Sequence, residues 1–170
     1  MKRNDRYELL PGKTDDKGNW LPVFVHLEDT AAAIRYLTEH RVPDSVVRAC
    51  GMEREEFQSV CVFLAMVHDI GKSTPLFAAK ITSHIPGLRE RLSENGADPG
   101  TLSDYLYPSG SPHARAGETI LEKLGCPDGI CSVVGAHHGK PTTQDSKNEQ
   151  QLQKCFRNYY GWNRDFWEET

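Results

Sequence analysis

The sequence has no excess of positive charge. Its 24 Asp and Glu outnumber 20 Lys and Arg, for a formal net charge of −4 over 170 residues. A free-standing protein held to nucleic acid by bulk charge usually reads basic. Any contact with DNA or RNA must therefore rest on a metal, a small basic patch or a partner. A long hydrophobic run is also missing. The longest, residues 60–67, is far too short to span a bilayer, and residues 1–5 lead into no apolar stretch that would read as a signal peptide. The five cysteines (Cys50, Cys61, Cys126, Cys131, Cys155) are odd in number and form no Cys-x-x-Cys pair. That excludes a cysteine-based zinc site and suits a reduced, cytoplasmic protein with no membrane contact. Cys61, inside the apolar run, reads as a small buried hydrophobe.

What is present is a helical pattern. Turn signals crowd residues 1–25 (Pro11-Gly12, Asp16-Lys17-Gly18-Asn19, Pro22), which predict an irregular arm or a short hairpin. From Leu27 the residues Leu27, Ala31, Ile34 and Leu37 form one apolar helical face, with Glu28 and Asp29 in the first turn. Pro43-Asp44-Ser45 opens a second, short helix ending near Gly51. Residues 53–70 predict the longest helix, closed by Gly71 and apolar all round at 60–67, as expected at the centre of a bundle. Further helices are expected at 75–84, 86–94, 113–124 and 130–138, with a Gly/Pro/Ser-rich loop at 96–112. Residues 142–150 are polar, 154–160 return to helix, and aromatics crowd the end (Phe156, Tyr159, Tyr160, Trp162, Phe166, Trp167). The expected fold class is all-α, without internal repeats.

Five of the seven histidines fall at telling positions. His26 directly precedes the first long predicted helix. His68 continues the stripe Phe57, Val60, Cys61, Leu64, and Asp69 continues Val62, Ala65, Met66, so both side chains start from buried ground. A lone carboxylate there would cost several kcal/mol or shift its pKa strongly, and a metal ion removes that penalty. His113 heads the apolar face of its helix, and His137 and His138 extend the stripe Ile130, Val133, Val134. Ligands that converge from facing helices are how a bundle assembles a metal site. Adjacent residues on a helix diverge by about 100°. His68-Asp69 and His137-His138 therefore suit two metals, or one metal and a second-shell or substrate contact. One histidine on an apolar face is more often a satisfied core residue; the set in this order, followed by Gly71-Lys72, is far more specific. His40 and His84 read as ordinary helix C-terminal residues. Imidazole-rich sites suit Mn, Fe, Co, Ni or Zn better than Mg. Lys72, Arg115 and Lys140, with Lys80, offer a local basic path for a single strand.

These residues resemble a known family. His68-Asp69-Ile70-Gly71-Lys72, with an upstream His and a downstream His and His-His, looks like the HD phosphohydrolase superfamily. His26-Leu27-Glu28-Asp29-Thr30-Ala31, Pro112-His113-Ala114-Arg115-Ala116-Gly117 and Gly135-Ala136-His137-His138-Gly139-Lys140-Pro141 resemble, more narrowly, the HD nuclease domain of type I CRISPR systems. The resemblance implies a helical HD bundle with a core metal site of one or two divalent ions. It also implies metal-dependent cutting of single-stranded DNA displaced by an RNA-guided surveillance complex, with a DExH-type helicase fused or separate. It implies His26, His68 and Asp69 on one metal, Asp69 bridging, and His113, His137 and His138 on a second metal or the phosphate. Asp69 and Lys72 would be catalytic, with Lys72, Arg115 and Lys140 on the substrate. The family's last ligand, an Asp on a late helix, has no match: after His138 only Asp145 and Asp165 occur, in unlike contexts. The expectation is one HD domain over 1–170, truncated before that helix. Two rival readings are a nucleotide or cyclic-nucleotide phosphohydrolase and a non-catalytic interaction module.

Overall fold

The computed structural model describes residues 6–105 and 112–140. Expectations for the segments at 142–150 and 154–160 and for the aromatic end lie outside the described residues. The described chain bears out an all-α fold with one small hairpin.

A short helix α1 (Arg6–Leu9) leads into strands β1 (Pro11–Thr14) and β2 (Trp20–Pro22), which pair antiparallel. Of the two alternatives the turn residues left open, an irregular arm or a short hairpin, the structure has the hairpin. Asp15 closes its loop by accepting hydrogen bonds from Lys17 N (2.9 Å), Asn19 N (2.8 Å) and Asn19 Nδ2 (2.7 Å). Helix α2 (Val23–His40) starts at once, four residues earlier than predicted. Pro22 stands at its N-cap and the Val23 amide donates to Leu10 O at 2.8 Å, so the hairpin's own bonding opens the helix. His26 therefore lies within the helix, and Glu28 and Asp29 fall beyond its first turn. The buried side is Val23, His26, Ala31 and Thr38; Leu37 is exposed.

Helix α3 (Asp44–Ala49) and helix α4 (Arg54–Val67) follow. Arg54 joins three helices, donating to Thr38 O (2.7 Å) and Val42 O (3.0 Å) at the end of α2 and pairing with Asp44. A guanidinium there satisfies carbonyls that a helix end leaves unpaired. A 3-10 turn (Ile70–Ser73) leads to α5 (Pro75–Thr82), whose N-cap Thr74 accepts from Phe77 N and whose first residue is proline. Helix α6 (Leu88–Glu94), a one-turn 3-10 segment (Leu102–Asp104), α7 (His113–Lys123) and α8 (Asp128–Gly135) complete the described order. No single helix among the described residues is long and apolar enough to cross a membrane.

Three expectations are corrected. The longest helix among the described residues is α2, with 18 residues against 14 in α4. Nor is α4 the central helix: only Ala65 in it is buried, while Phe63 and Met66 are 43% and 46% exposed. An all-round apolar pattern says what a helix tolerates, not what surrounds it. The helix enclosed by the fold is α7, with Ala114, Ala116, Gly117, Glu118, Thr119, Ile120 and Leu121 all buried. Its small residues admit neighbours closely but carry little hydropathy signal. Cys61, expected to be buried, is half-buried; among the described residues Cys131 is the buried cysteine.

The core has two parts. One joins the hairpin, the start of α2, α5 and α6 through Leu10, Val23, Ala78, Ile85, Leu88 and Leu92. The other joins α4, α7 and α8 through Leu121, Cys131 and Val134, with Leu64, Val67 and Ile70 against them. The 3-10 turn lies between the two parts, packed on α7, α5, α2 and β1. A Cβ on Gly71 would fall 1.9 Å from His113 O and 2.5 Å from Gly117 N, and one on Gly117 would lie 3.3 Å from Gly71 N. Backbone meets backbone here, so only glycine fits at 71. Replacing Gly71 with alanine is expected to lower stability by about 2 kcal/mol or more, measured by urea denaturation. Gly129→Ala, in open space on α8, should stay within about 1 kcal/mol of the parent.

Candidate metal centre

Four places in the fold deliver six side chains to one point. The first turns of α2 and α7 supply His26 and His113. The end of α4 supplies His68 at its C-cap and Asp69 just beyond. His137 and His138 come from the turn after α8, not from the helix itself. Breaking the helix there brings both neighbouring imidazoles to the same side, 4.2 Å between centroids, which helical spacing would not allow. The five rings form a continuous cluster: His26–His68 5.3 Å, His68–His137 5.6 Å, His113–His137 5.4 Å and His113–His138 4.9 Å between centroids.

Asp69, only 4% exposed, is the centre of this cluster. Its Oδ2 lies 2.8 Å from His26 Nε2, 3.2 Å from His68 Nε2 and 2.8 Å from Lys72 Nζ. Its Oδ1 lies 3.1 Å from His113 Nε2 and 3.3 Å from His137 Nε2. Burial raises the carboxyl pKa, but the His113, His68 and Lys72 nitrogens that face the carboxylate, and the Lys72 charge, outweigh it. The group is held ionised far below the usual carboxylate range. Among the histidines, burial lowers His26 and His137, whereas the hydrogen bond to Asp69 raises His68 against its own burial.

The tautomers carry the chemical argument. His68 Nδ1 is 2.7 Å from Ala65 O and His137 Nδ1 is 2.6 Å from Val134 O. A carbonyl only accepts, so in both rings Nδ1 carries the hydrogen. In the neutral imidazole, Nε2 then presents a lone pair, and both lone pairs face the carboxylate. His137 Nε2 and Asp69 Oδ1 are buried without a hydrogen-bond partner. His113 Nε2 and His138 Nε2 meet at 2.9 Å. Lone pairs that converge on a carboxylate need a proton or a cation among them. An imidazole anchored through its far nitrogen to a backbone carbonyl is the usual second shell of a metal ligand. The donors sort into two groups, His26/His68/Asp69 and His113/His137/His138, with ligand atoms within 4.8 Å of one another in each. The residues present fit divalent cations.

A model of the family described as Cas3, HD domain matches residues 12–170. The chain belongs to the Cas3 HD-domain family. It is 31% identical over 172 residues to a CRISPR-associated nuclease/helicase Cas3 of Streptococcus thermophilus, covering 92% of this chain and 18% of that protein. It is 27% identical over 138 residues to a CRISPR-associated endonuclease/helicase Cas3 of Thermus thermophilus, covering 75% of this chain and 14% of that protein. The matches thus span less than a fifth of either Cas3 relative's length. No solved structure matches the chain.

The other sequence-marked residues in this Cas3 HD domain lie as follows. Lys72 is 11% exposed at its side chain, bound to Asp69, with its ammonium 5.8 Å from the Phe77 ring centre. Arg115 is half-buried, two residues and about 200° round α7 from His113, with Nε buried and unpartnered among the described residues. Lys140 is exposed, two residues past His138. Asp145 and Asp165 lie outside the described residues. His40 ends α2 and His84 follows α5, both outside the cluster as expected. Sequence reasoning missed Phe77, whose ring meets His113 edge-on at 5.6 Å. The Thr74-Pro75 helix start placed a helix there but could not say which face meets α7.

His68 must lose its second proton before Nε2 can bind a cation, and its raised pKa extends that competition above the ordinary value of 6.5. Mn²⁺ affinity measured by calorimetry is expected to rise steadily from pH 6 to pH 8. Asp69→Asn should lower it by at least tenfold.

Proposed function

We propose that the chain is a metal-dependent nuclease domain that hydrolyses phosphodiesters of single-stranded DNA in CRISPR interference, alongside a helicase. The observation that carries this reading is one buried carboxylate, Asp69, shared between two imidazole groups. Asp69 supplies the only negative charge among those six ligand positions. One or two divalent ions therefore leave the site net positive, which suits a polyanionic backbone despite a chain charge of −4. The relatives' names, nuclease/helicase and endonuclease/helicase, support a nucleic-acid substrate and a helicase partner for this reading. An RNA-guided complex that displaces the strand belongs to the same proposal.

A bound transition metal (Mn, Fe, Co, Ni or Zn, with Mg also possible) lowers the pKa of the attacking water and offsets charge on the phosphate oxygens. The chain's own residues do the rest. His26 and His68 would hold one ion and His113, His137 and His138 a second, with the Asp69 carboxylate facing both groups. The carbonyls of Ala65 and Val134 fix two ring orientations in advance, so ligand geometry needs no reorganisation during the reaction. Lys72, tethered to Asp69 and packed over Phe77, brings an ammonium to the phosphate as charge builds on it. Lys140, exposed two residues past His138, receives a flanking part of the strand, whereas Arg115 stands about 200° round α7 from His113, off that path.

The test is incubation of the protein with Mn²⁺, Co²⁺ or Ni²⁺ and labelled single-stranded DNA, duplex DNA, dNTPs and cyclic nucleotides. Cutting of single-stranded DNA is expected, with His68→Ala and Asp69→Ala folded by circular dichroism and at least 100-fold slower. Hydrolysis of nucleotides without DNA cutting would replace this reading with a nucleotide phosphohydrolase. Metal-dependent folding without hydrolysis of any substrate would replace it with an interaction module.

A further inference from the structure

The hairpin before α2 has no part in the metal centre, yet the fold fixes it beside that centre. A Cβ on Gly12 would sit 2.8 Å from Val23 Cα, so β1 lies directly on the first residue of α2. Val23 and His26 are one helical turn apart on the same buried side. β1 also packs on the 3-10 turn that carries Lys72 and on α5. Pro11 and Gly12 are buried, and the next residue, Lys13, is exposed. Its backbone is held in the β1–β2 register opposite Leu21.

Lys13 has no ion-pair partner among the described residues. The nearest acid in its hairpin, Asp15, is committed to the loop through Lys17 and Asn19. An exposed lysine on a strand packed against the turn that carries Lys72 has no anion of the described chain to pair with. It gains from an anion that lies across the site. Lys72 serves the buried end of such an anion; Lys13 stands at the exposed end, on an anchored strand.

We propose that Lys13 binds a backbone phosphate of the substrate strand next to the one being cut, making the β1–β2 hairpin one wall of the strand's path. This rests on the nuclease reading above for the identity of the strand, but strand binding is measured separately from cutting.

Fluorescence anisotropy with a labelled single-stranded oligonucleotide, on the full chain with Mn²⁺ and at several salt concentrations, gives the decisive readout. Lys13→Ala is expected to weaken binding about fivefold and to reduce the slope of log K against log salt by about 0.7, one single-strand phosphate contact. Lys13→Glu should weaken it more, and Lys13→Arg should hold it within about twofold. Lys17→Ala removes the same charge from the hairpin tip and controls for bulk charge; its affinity should change less than twofold. In cleavage assays KM for the oligonucleotide should rise more than kcat falls. Equal binding by Lys13→Ala and the parent, or equal losses in Lys13→Ala and Lys17→Ala, would overturn the proposal whether or not the protein cuts DNA. If the parent binds DNA, never cuts it, and Lys13→Ala binds it less well with the lower slope, the strand contact stands and the nuclease reading fails.

Discussion

The contact between Gly71 and the backbone of α7 sets the positions of everything at the site. It brings the turn after Asp69 against His113 O and Gly117 N with no side chain between. This fixes the distance between the two donor groups, because one comes from the chain just before Gly71 and the other begins on α7. Protein interiors transmit such constraints because they are close-packed. A displacement of a few tenths of an ångström at this crossing would change both contacts of Asp69 Oδ1. The two parts of the core meet on either side of the same turn, so their packing holds it from both sides.

A buried carboxylate is costly unless charges and hydrogen bonds meet it. Asp69 is met by four imidazoles and an ammonium, and its ionised form wins over burial. The same neighbours leave Oδ1 and His137 Nε2 without ordinary hydrogen bonds. The arrangement therefore keeps the negative charge but directs donor atoms at one another, which a divalent cation resolves and a neutral core would not.

Much of this was legible in the residues. His26, His68, Asp69, His113, His137 and His138 were all singled out, and all six meet; helical spacing would have parted the neighbours, but His68 and Asp69 share one group and His137 and His138 the other, because α4 and α8 end before them. Turn residues marked the segment before α2 but left an irregular arm and a hairpin equally open. What misled was hydropathy. The apolar run in α4 pointed to a central helix, whereas the enclosed helix is α7, whose Ala114, Ala116 and Gly117 bury little apolar area but allow close approach. The start of α2 was placed late because Pro22 and the Val23–Leu10 hydrogen bond open it, a hairpin effect invisible to periodicity. Gly71 read as a helix stop; its closeness to α7 depends on residues more than forty positions away. Phe77 carried no signal at all for its place against His113.

Ala65 O and Val134 O are used alike: each accepts Nδ1–H from the histidine three residues later, at the end of a helix. Those carbonyls are among the ones a helix leaves free at its C-terminus. The orienting partners of His68 and His137 are thus written in the main chain, where no side-chain replacement can delete them. Genetic drift at positions 65 and 134 can alter packing, yet the acceptor survives any amino acid that keeps the helix end in place. Two imidazoles of this cluster are insured by backbone geometry, and their vulnerability passes to whatever moves the helix ends.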